Sequence, residues 1–402
     1  MGSASGAYDG ELEGFTLQVF GIRWRVRPVR VPDSFVTELR GLWSRAIVDP
    51  ALPDPDDEDF VVCDAVGGFD PFPPEHAAYV GSDRTGWAYS VSRALTMASI
   101  RRRTGQALML HAVGVTDDTG STLVLVAPSG TGKTTAAKEL GRSLGYVTDE
   151  TVVIEPDHAI SPYPKPLSII VDTDQPHDKE ESSPDDLHLV PAHDTPRLGA
   201  VVLLRRDGDL AQPDLAPLPL AEAILETIPE TSALPALEQP LATLARALSV
   251  GGGPYRLRYA EIADCVPLLH DLPRLHADVR ADWLHIPSDG RDDPAPASSG
   301  TVTGRSLVVR SAWDDAVLSD HELVVLHDLV PSRLGLLGTE LWLAADAPVS
   351  VEALHERMVE AFGSHEESER LLLESVQLLV DSGVLRVLAG VATAAGTEQD
   401  DG

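Results

Sequence analysis

The residues with chemistry to offer sit close together, between positions 106 and 156. The run Ala127-Pro128-Ser129-Gly130-Thr131-Gly132-Lys133-Thr134-Thr135 meets the pattern G-x-x-x-x-G-K-[ST] everywhere but at its first position, where alanine replaces glycine. Gly130 and Gly132 let backbone N–H groups turn inward around phosphate oxygens. A helix starting at the lysine adds roughly half a positive charge at its N-terminus. Lys133 reaches β- and γ-phosphates as a point charge, and Thr134 offers a hydroxyl to Mg2+. Pro128, Ser129, Gly130, Thr131, Gly132, Lys133, Thr134 and Thr135 are therefore the expected nucleotide-binding residues, with a nucleoside triphosphate and Mg2+ as the expected ligands.

Two acids follow at a telling distance. Asp149 and Glu150 stand sixteen residues beyond Lys133, just ahead of the strand-like run TVVIE. One carboxylate can hold Mg2+, and the other can orient or deprotonate an acceptor hydroxyl. Their spacing leaves open which does which. His111 lies in an apolar run, Met109-Leu110-His111-Ala112, where a histidine on its own reads as a core residue.

These groups need a scaffold, and the pattern around them supplies one. Residues 122–127 (TLVLVA) are a continuous apolar run, the mark of a buried strand, and 133–144 suit an amphipathic helix. Strand-like 151–155 and 199–204 continue the alternation, with helices expected at 218–228, 239–249 and 260–270 and a strand at 255–259. Residues 156–197 are rich in Pro, His and acids and read mostly as loop. Upstream, 15–31 read as one or two strands, 33–46 as a short helix, 60–65 as a strand and 87–103 as a helix ending in Arg101, Arg102 and Arg103. Residues 50–58 and 71–74 are Pro-rich breakers.

The chain divides accordingly. Residues 1–105 form an α+β region, 106–285 the nucleotide-binding domain, 286–304 a Pro/Gly/Ser/Asp linker, 305–390 a small domain and 391–402 an acidic tail. In the small domain strand-like 306–311, 316–319 and 322–329 precede helices at 332–346, 351–362 and 366–382, with Ser364 and Glu367 spaced as a capping box.

The formal net charge is −32 over 402 residues. That disfavours nucleic acid and anionic membranes as partners and favours a basic peptide or protein. Cys63 and Cys265 are too far apart in sequence for a metal-ligand motif. No apolar run approaches the ~18 residues of a membrane span, and the N-terminal residues lack the features of a signal peptide, so a cytoplasmic protein is expected.

Taken together, Leu110-His111-Ala112, the phosphate loop and Thr148-Asp149-Glu150 resemble the HPr kinase/phosphorylase family, whose nucleotide domain is related to phosphoenolpyruvate carboxykinase. The resemblance covers 106–156 and implies an α/β P-loop kinase fold. It also implies Ser/Thr phosphorylation with ATP and Mg2+, with His111, Lys133, Asp149 and Glu150 as catalytic residues and Thr134 and Asp149 at the metal. Glu150 stands where the family has a second Asp, and the family's later Gly-rich signature and Arg-containing loop have no counterpart in 156–275. Residues 162–167 (PYPKPL) resemble a segment of shorter homologues in peptide-modifying pathways, and Lys165 there reads as a solvated loop lysine. Residues 305–390 resemble a winged-helix PqqD-type peptide-recognition domain, through Val325-Leu326-His327-Asp328-Leu329, Gly338 to Trp342, Val349 to Leu354 and Leu379 to Leu385. That implies capture of a leader peptide, and partnership with other peptide-modifying enzymes. The expectation is a kinase acting on a ribosomally made precursor peptide. The alternatives are a non-catalytic nucleotide-binding scaffold or chaperone of a peptide-modifying complex, and an ATPase coupled to conformational change.

Overall fold

The computed structural model describes residues 13–49, 56–64, 77–81, 86–128, 130–170, 179–275, 282–290 and 301–388. Ser129, the breaker at 71–74, most of the stretch read as linker and the acidic tail lie outside the described residues. The chain is mixed α/β and separates into two compact units, 1–281 and 282–402.

Among its described residues the first unit holds two large sheets and a two-stranded hairpin. β1 (Phe15–Val19) and β2 (Ile22–Val29) form a hairpin, followed by α1 (Asp33–Leu42), β3 (Ile47–Val48), β4 (Glu58–Asp64), β5 (Ala77–Gly81) and α2 (Trp87–Arg103). The strands order β3-β1-β2-β4-β5, with β2, β4 and β5 mutually parallel. α1 buries Phe35, Val36, Leu39 and Leu42, and α2 buries Trp87, Val91 and Leu95. The same apolar cluster takes in Met109, Val153 and Tyr163 from beyond position 105. That shared core is why the N-terminal region belongs to one compact unit with the residues that follow it, rather than standing apart.

The second sheet carries the motifs. Its strands are β6 (Leu108–Thr116), β7 (Ser121–Val126), β8 (Gly145–Thr148), β9 (Thr151–Ile154), β10 (Ile160–Ser161), β13 (Val190–Pro191), β14 (Arg197–Arg206), β15 (Asp214–Pro217), β16 (Thr231–Ser232) and β17 (Tyr255–Tyr259). β11 (Leu167–Ile170) and β12 (Lys179–Ser182) make a separate hairpin within the stretch expected to be loop. β7 and β14 are continuous apolar runs because both sit inside the sheet, parallel to each other, with β17 parallel beyond β14. α3 (Lys133–Leu140) follows β7, and α4 (Leu220–Thr227), α5 (Pro240–Leu248) and α6 (Val266–Leu275) follow the later strands. α3 is shorter than the expected 133–144 and ends at Gly141, whose N–H closes onto Ala137 O at 2.8 Å. Ala136, Ala137 and Leu140 of α3 join Val113, Leu123, Leu125, Leu269 and Leu272 in the core on this face of the sheet.

The second unit opens earlier than the sequence pattern indicates. β18 (Leu284–Pro287), at the junction read as the end of the nucleotide domain and the start of a linker, pairs antiparallel with a strand of this unit. The unit contains β19 (Leu307–Arg310), β20 (Asp315–Ser319), β21 (Glu322–His327), β22 (Val330–Leu334), α7 (Leu336–Ala344), β23 (Val349–Ser350), α8 (Val351–Phe362), α9 (Ser368–Asp381) and β24 (Leu385–Val387). β18-β20-β21-β22 form an antiparallel meander, and β23-β19-β24 a small second sheet. Residues 332–334, expected to start a helix, end β22 instead. Asp328 and Leu329 take positive φ (47° and 65°) and turn the chain back as a two-residue hairpin. The capping box at Ser364 and Glu367 does not form; α9 has no side-chain cap, whereas Ser350 Oγ caps α8 through Ala353 N–H at 3.1 Å. Trp313 packs edge-on against Trp342 at 5.1 Å in the core.

Candidate functional site

One strand brings the three motifs together. β6 runs antiparallel to β7, β8 and β9. Its Ala112 pairs with Val126 at the end of β7, its Gly114 with Thr148 at the end of β8, and its His111 with Thr151 at the start of β9. The phosphate loop, the acidic corner and the histidine therefore share one sheet edge within a few residues of β6. The corner is pinned by Ala112 N–H, which donates to Glu150 O at 3.0 Å.

The loop itself has the backbone its glycines permit. Gly130 and Gly132 take φ of 82° and 98°, and Gly132 is the residue before α3. A Cβ at either would meet nothing within 4 Å, so dihedral strain rather than space calls for glycine. Lys133 is buried, and its Nζ donates to Ala127 O across the loop. Burial lowers its pKa, with Glu230, Glu150 and Asp149 pulling the other way. Thr131 Oγ1 donates to Pro128 O at 2.6 Å, and Tyr259 OH to Thr131 O at 3.4 Å, which brace the tip. Thr135 is exposed beside it.

The two acids have different surroundings. Asp149 is buried, and Thr134 Oγ1 donates to its Oδ2 at 3.0 Å. On the other oxygen, Tyr146 OH lies 3.2 Å away and Lys165 Nζ 3.5 Å away. Tyr146 OH is also 2.9 Å from Lys165 O, and its single proton serves one acceptor at a time. Burial and the Asp149 carboxylate push the Tyr146 pKa well up, so it stays a donor.

Glu150 is half-buried, and its Oε2 is buried with no hydrogen-bond partner. Burial raises its pKa, against the pull of Lys165. His111 Nδ1 is 3.7 Å from Glu150 Oε1, an ion-pair distance only if the ring is charged. Burial and the Lys133 charge lower the His111 pKa, so the ring is neutral near pH 7 and the contact is a loose polar one.

Lys165 is no solvated loop residue. Its side chain is 7% exposed and that of Asp149 3%. It donates to Pro166 O at 2.7 Å and Ser168 Oγ at 3.4 Å, besides facing Asp149. Burial alone would lower its pKa, but Asp149, Glu181 and Glu150 together outweigh burial and raise it. Glu181 on β12 accepts from Ser168 Oγ at 2.5 Å and from Ser92 Oγ, on α2, at 3.1 Å. Neither Glu181 nor Ser92 carries a sequence motif. The one available signal is the helical spacing of Ser92, Thr96 and Ser99, polar residues on the buried face of α2.

His111, Lys133, Thr134, Asp149, Glu150 and Lys165 border a cavity of about 580 Å³, large enough for a nucleotide's phosphates together with part of an acceptor. Gly130, Gly132, Lys133, Thr134, Thr135 and Lys138 form its phosphate-loop end, and His111, Asp149, Glu150 and Lys165 its middle. Tyr89, Ser92, Arg93, Thr96 and Met97 of α2 form the wall contributed by the N-terminal region. Among the described residues no group of three or more His, Cys, Asp or Glu is placed to hold a metal. Mg2+ takes one or two protein ligands and completes its octahedron with phosphate oxygens and water. Thr134 and Asp149, already in contact, are the residues that would hold it. No family model and no curated protein matches the chain.

Proposed function

We propose that this protein is an ATP-dependent kinase that phosphorylates a hydroxyl of a peptide, with ATP and Mg2+ at the phosphate loop. The observation that carries this reading is the meeting of Lys133, the Thr134–Asp149 contact and the Glu150–His111 pair on one wall of a cavity. Lys133 and the N-terminus of α3 hold the β- and γ-phosphates. Mg2+, when bound at Thr134 and Asp149, offsets charge on those phosphates. Asp149 is committed to Thr134, Tyr146 and Lys165, whereas Glu150 keeps a buried oxygen free of partners and a raised pKa. Glu150 is therefore the group that takes the acceptor's proton, with neutral His111 beside it at 3.7 Å. The bond from the γ-phosphorus to its bridging oxygen breaks, ADP leaves with the electron pair, and the acceptor oxygen bonds to phosphorus as its proton passes to Glu150.

The second unit supports a peptide as acceptor. β22 is an edge strand of the meander, and Leu329 and Val330 beside it are each 61% exposed. On α9, Leu372, Val376 and Leu379 are core, while Leu371 and Leu378, seven residues apart, are exposed. An open edge with exposed apolar side chains suits a peptide that adds as a strand. This is the reading in which 305–390 acts as a winged-helix, PqqD-type leader-binding domain. Among the described residues no helix is long and apolar enough to cross a membrane.

The test is the intact mass of a candidate precursor peptide after incubation with the protein, ATP and Mg2+, with Lys133→Ala as control. Gain of one phosphate, or loss of water after activation, absent in the control, supports the reading. Tight nucleotide binding with no change in any peptide and no ADP formed would favour the non-catalytic scaffold.

A further inference from the structure

The cavity wall supplied by α2 presents a cation with no ion-pair partner among the described residues. α2 turns Tyr89, Ser92, Arg93, Thr96 and Met97 to the cavity, a spacing that shares one helix face. Ser92 is engaged by Glu181, and Thr96 shares a hydrogen bond with Tyr163 OH. Arg93 is exposed and has no ion pair or hydrogen bond with a described residue. The chain has 63 acidic residues against 31 basic ones. Carboxylates are in such excess that other arginines of this unit, among them Arg23, Arg25, Arg45, Arg102 and Arg103, are each paired with one. Lys138 of α3, which lines the same cavity from the loop side, is likewise without an ion-pair partner among the described residues. Two cations without an ion-pair partner among the described residues, one from α2 and one from α3, line one cavity with Asp149 and Glu150 and fit a polyanion bound in it.

We propose that Arg93 is a catalytic residue that contacts the γ-phosphoryl group from the side opposite the phosphate loop, so that the N-terminal region completes the active site. The proposal rests on the phosphotransferase reading above. As the bond to the bridging oxygen breaks and the acceptor oxygen bonds to phosphorus, negative charge spreads over the equatorial oxygens and onto ADP. The guanidinium stabilises that charge in a bidentate geometry that a lysine does not reproduce. Lys133 reaches the same phosphates from the loop side, so the two cations flank the group being transferred.

The experiment uses the full chain with ADP, Mg2+ and aluminium fluoride, a mimic of the transferring phosphoryl group that needs no identified acceptor. The wild type is expected to bind ADP much more tightly with fluoride than without. Arg93→Gln is expected to bind ADP as the wild type does, to lose the gain from fluoride, and to lose turnover by about 10³-fold. Arg93→Lys is expected to recover only part of either. Because Arg93 is exposed and has no partner among the described residues, its variants should melt with the wild type, and Arg101→Gln, exposed on the same helix, controls for net charge. Full fluoride gain in Arg93→Gln, the same loss in Arg101→Gln, or a wild type that gains nothing from fluoride overturns the proposal while leaving the kinase reading intact. ADP binding that survives Lys133→Ala overturns the kinase reading, and this proposal with it.

Discussion

Replacing Lys165 by Met should destabilise the first unit more than any other single charge removal near the cavity. The ammonium lies 3.5 Å from Asp149 Oδ1, with both side chains almost fully enclosed. At that distance, and an effective dielectric constant of about 20, the attraction is about 5 kcal/mol. Desolvation offsets part of it, but removing one partner strands the other carboxylate, which costs about 3–5 kcal/mol. Glu150 and Glu181 would face the same gap, which places the expected loss toward the upper end. Because Lys165 has a raised pKa, its contribution is present in full below the ordinary lysine value of 10.5 and is lost only as pH rises through the raised one. Melts near pH 7 therefore read all of it. At roughly 2–4 °C per kcal/mol for a body of this size, calorimetry should show a fall on the order of 10 °C. Lys165→Met with Asp149→Asn should recover part of that loss, the remainder reflecting the two glutamates. A Lys165→Met protein within about 1 kcal/mol of the wild type, or a double variant that loses the sum of the singles, would refute a buried pair.

Other outcomes follow from the same geometry. Glu150 must be ionised to accept a proton, and its pKa is raised, so the rate should climb with pH through a point above the ordinary 4.5. It should fall again on the alkaline side below the ordinary 10.5, as Lys133, whose pKa is lowered, loses its charge. Glu150→Gln should abolish the acid limb and slow turnover by about 10²–10⁴-fold; an acid limb that persists in this variant assigns the base elsewhere. Thr134→Ala should raise the Mg2+ concentration needed for half-maximal turnover while ADP binding without metal changes little, as titration calorimetry would show. Gly114→Ala places a Cβ 3.1 Å from Val147 Cβ and 3.2 Å from Val152 Cγ2 inside the sheet that aligns the motifs. It should cost about 1–3 kcal/mol in denaturant melts, and a neutral result would mean that β8 and β9 yield freely there.

The phosphate loop was legible because everything it needs is local. An apolar strand, two glycines with positive φ and a helix beginning at Lys133 are properties of adjacent residues, set by dihedral preference and periodicity. The position of the acids after the helix and just before a strand likewise sufficed to return them to the loop's edge, because short connections return the chain to neighbouring strands, whereas His111 joined them only through the resemblance. The helix start at 332 was misjudged because pairing overrode composition: β22 is a strand by virtue of its partner β21, and β18 is likewise a strand at 284–287, where the linker was read to begin, by virtue of its pairing with β20. Lys165 looked solvated in a Pro-rich stretch, and only the fold shows it enclosed between Asp149 and the β11–β12 hairpin. By itself the sequence determined where the glycine loop lies and that a helix begins at Lys133. Which acid keeps a free oxygen, which lysines are buried and which arginine lines the cavity were decided by the tertiary structure. Those are through-space relations among residues from 92 to 181, and burial and Coulomb energy depend on that proximity rather than on spacing along the chain.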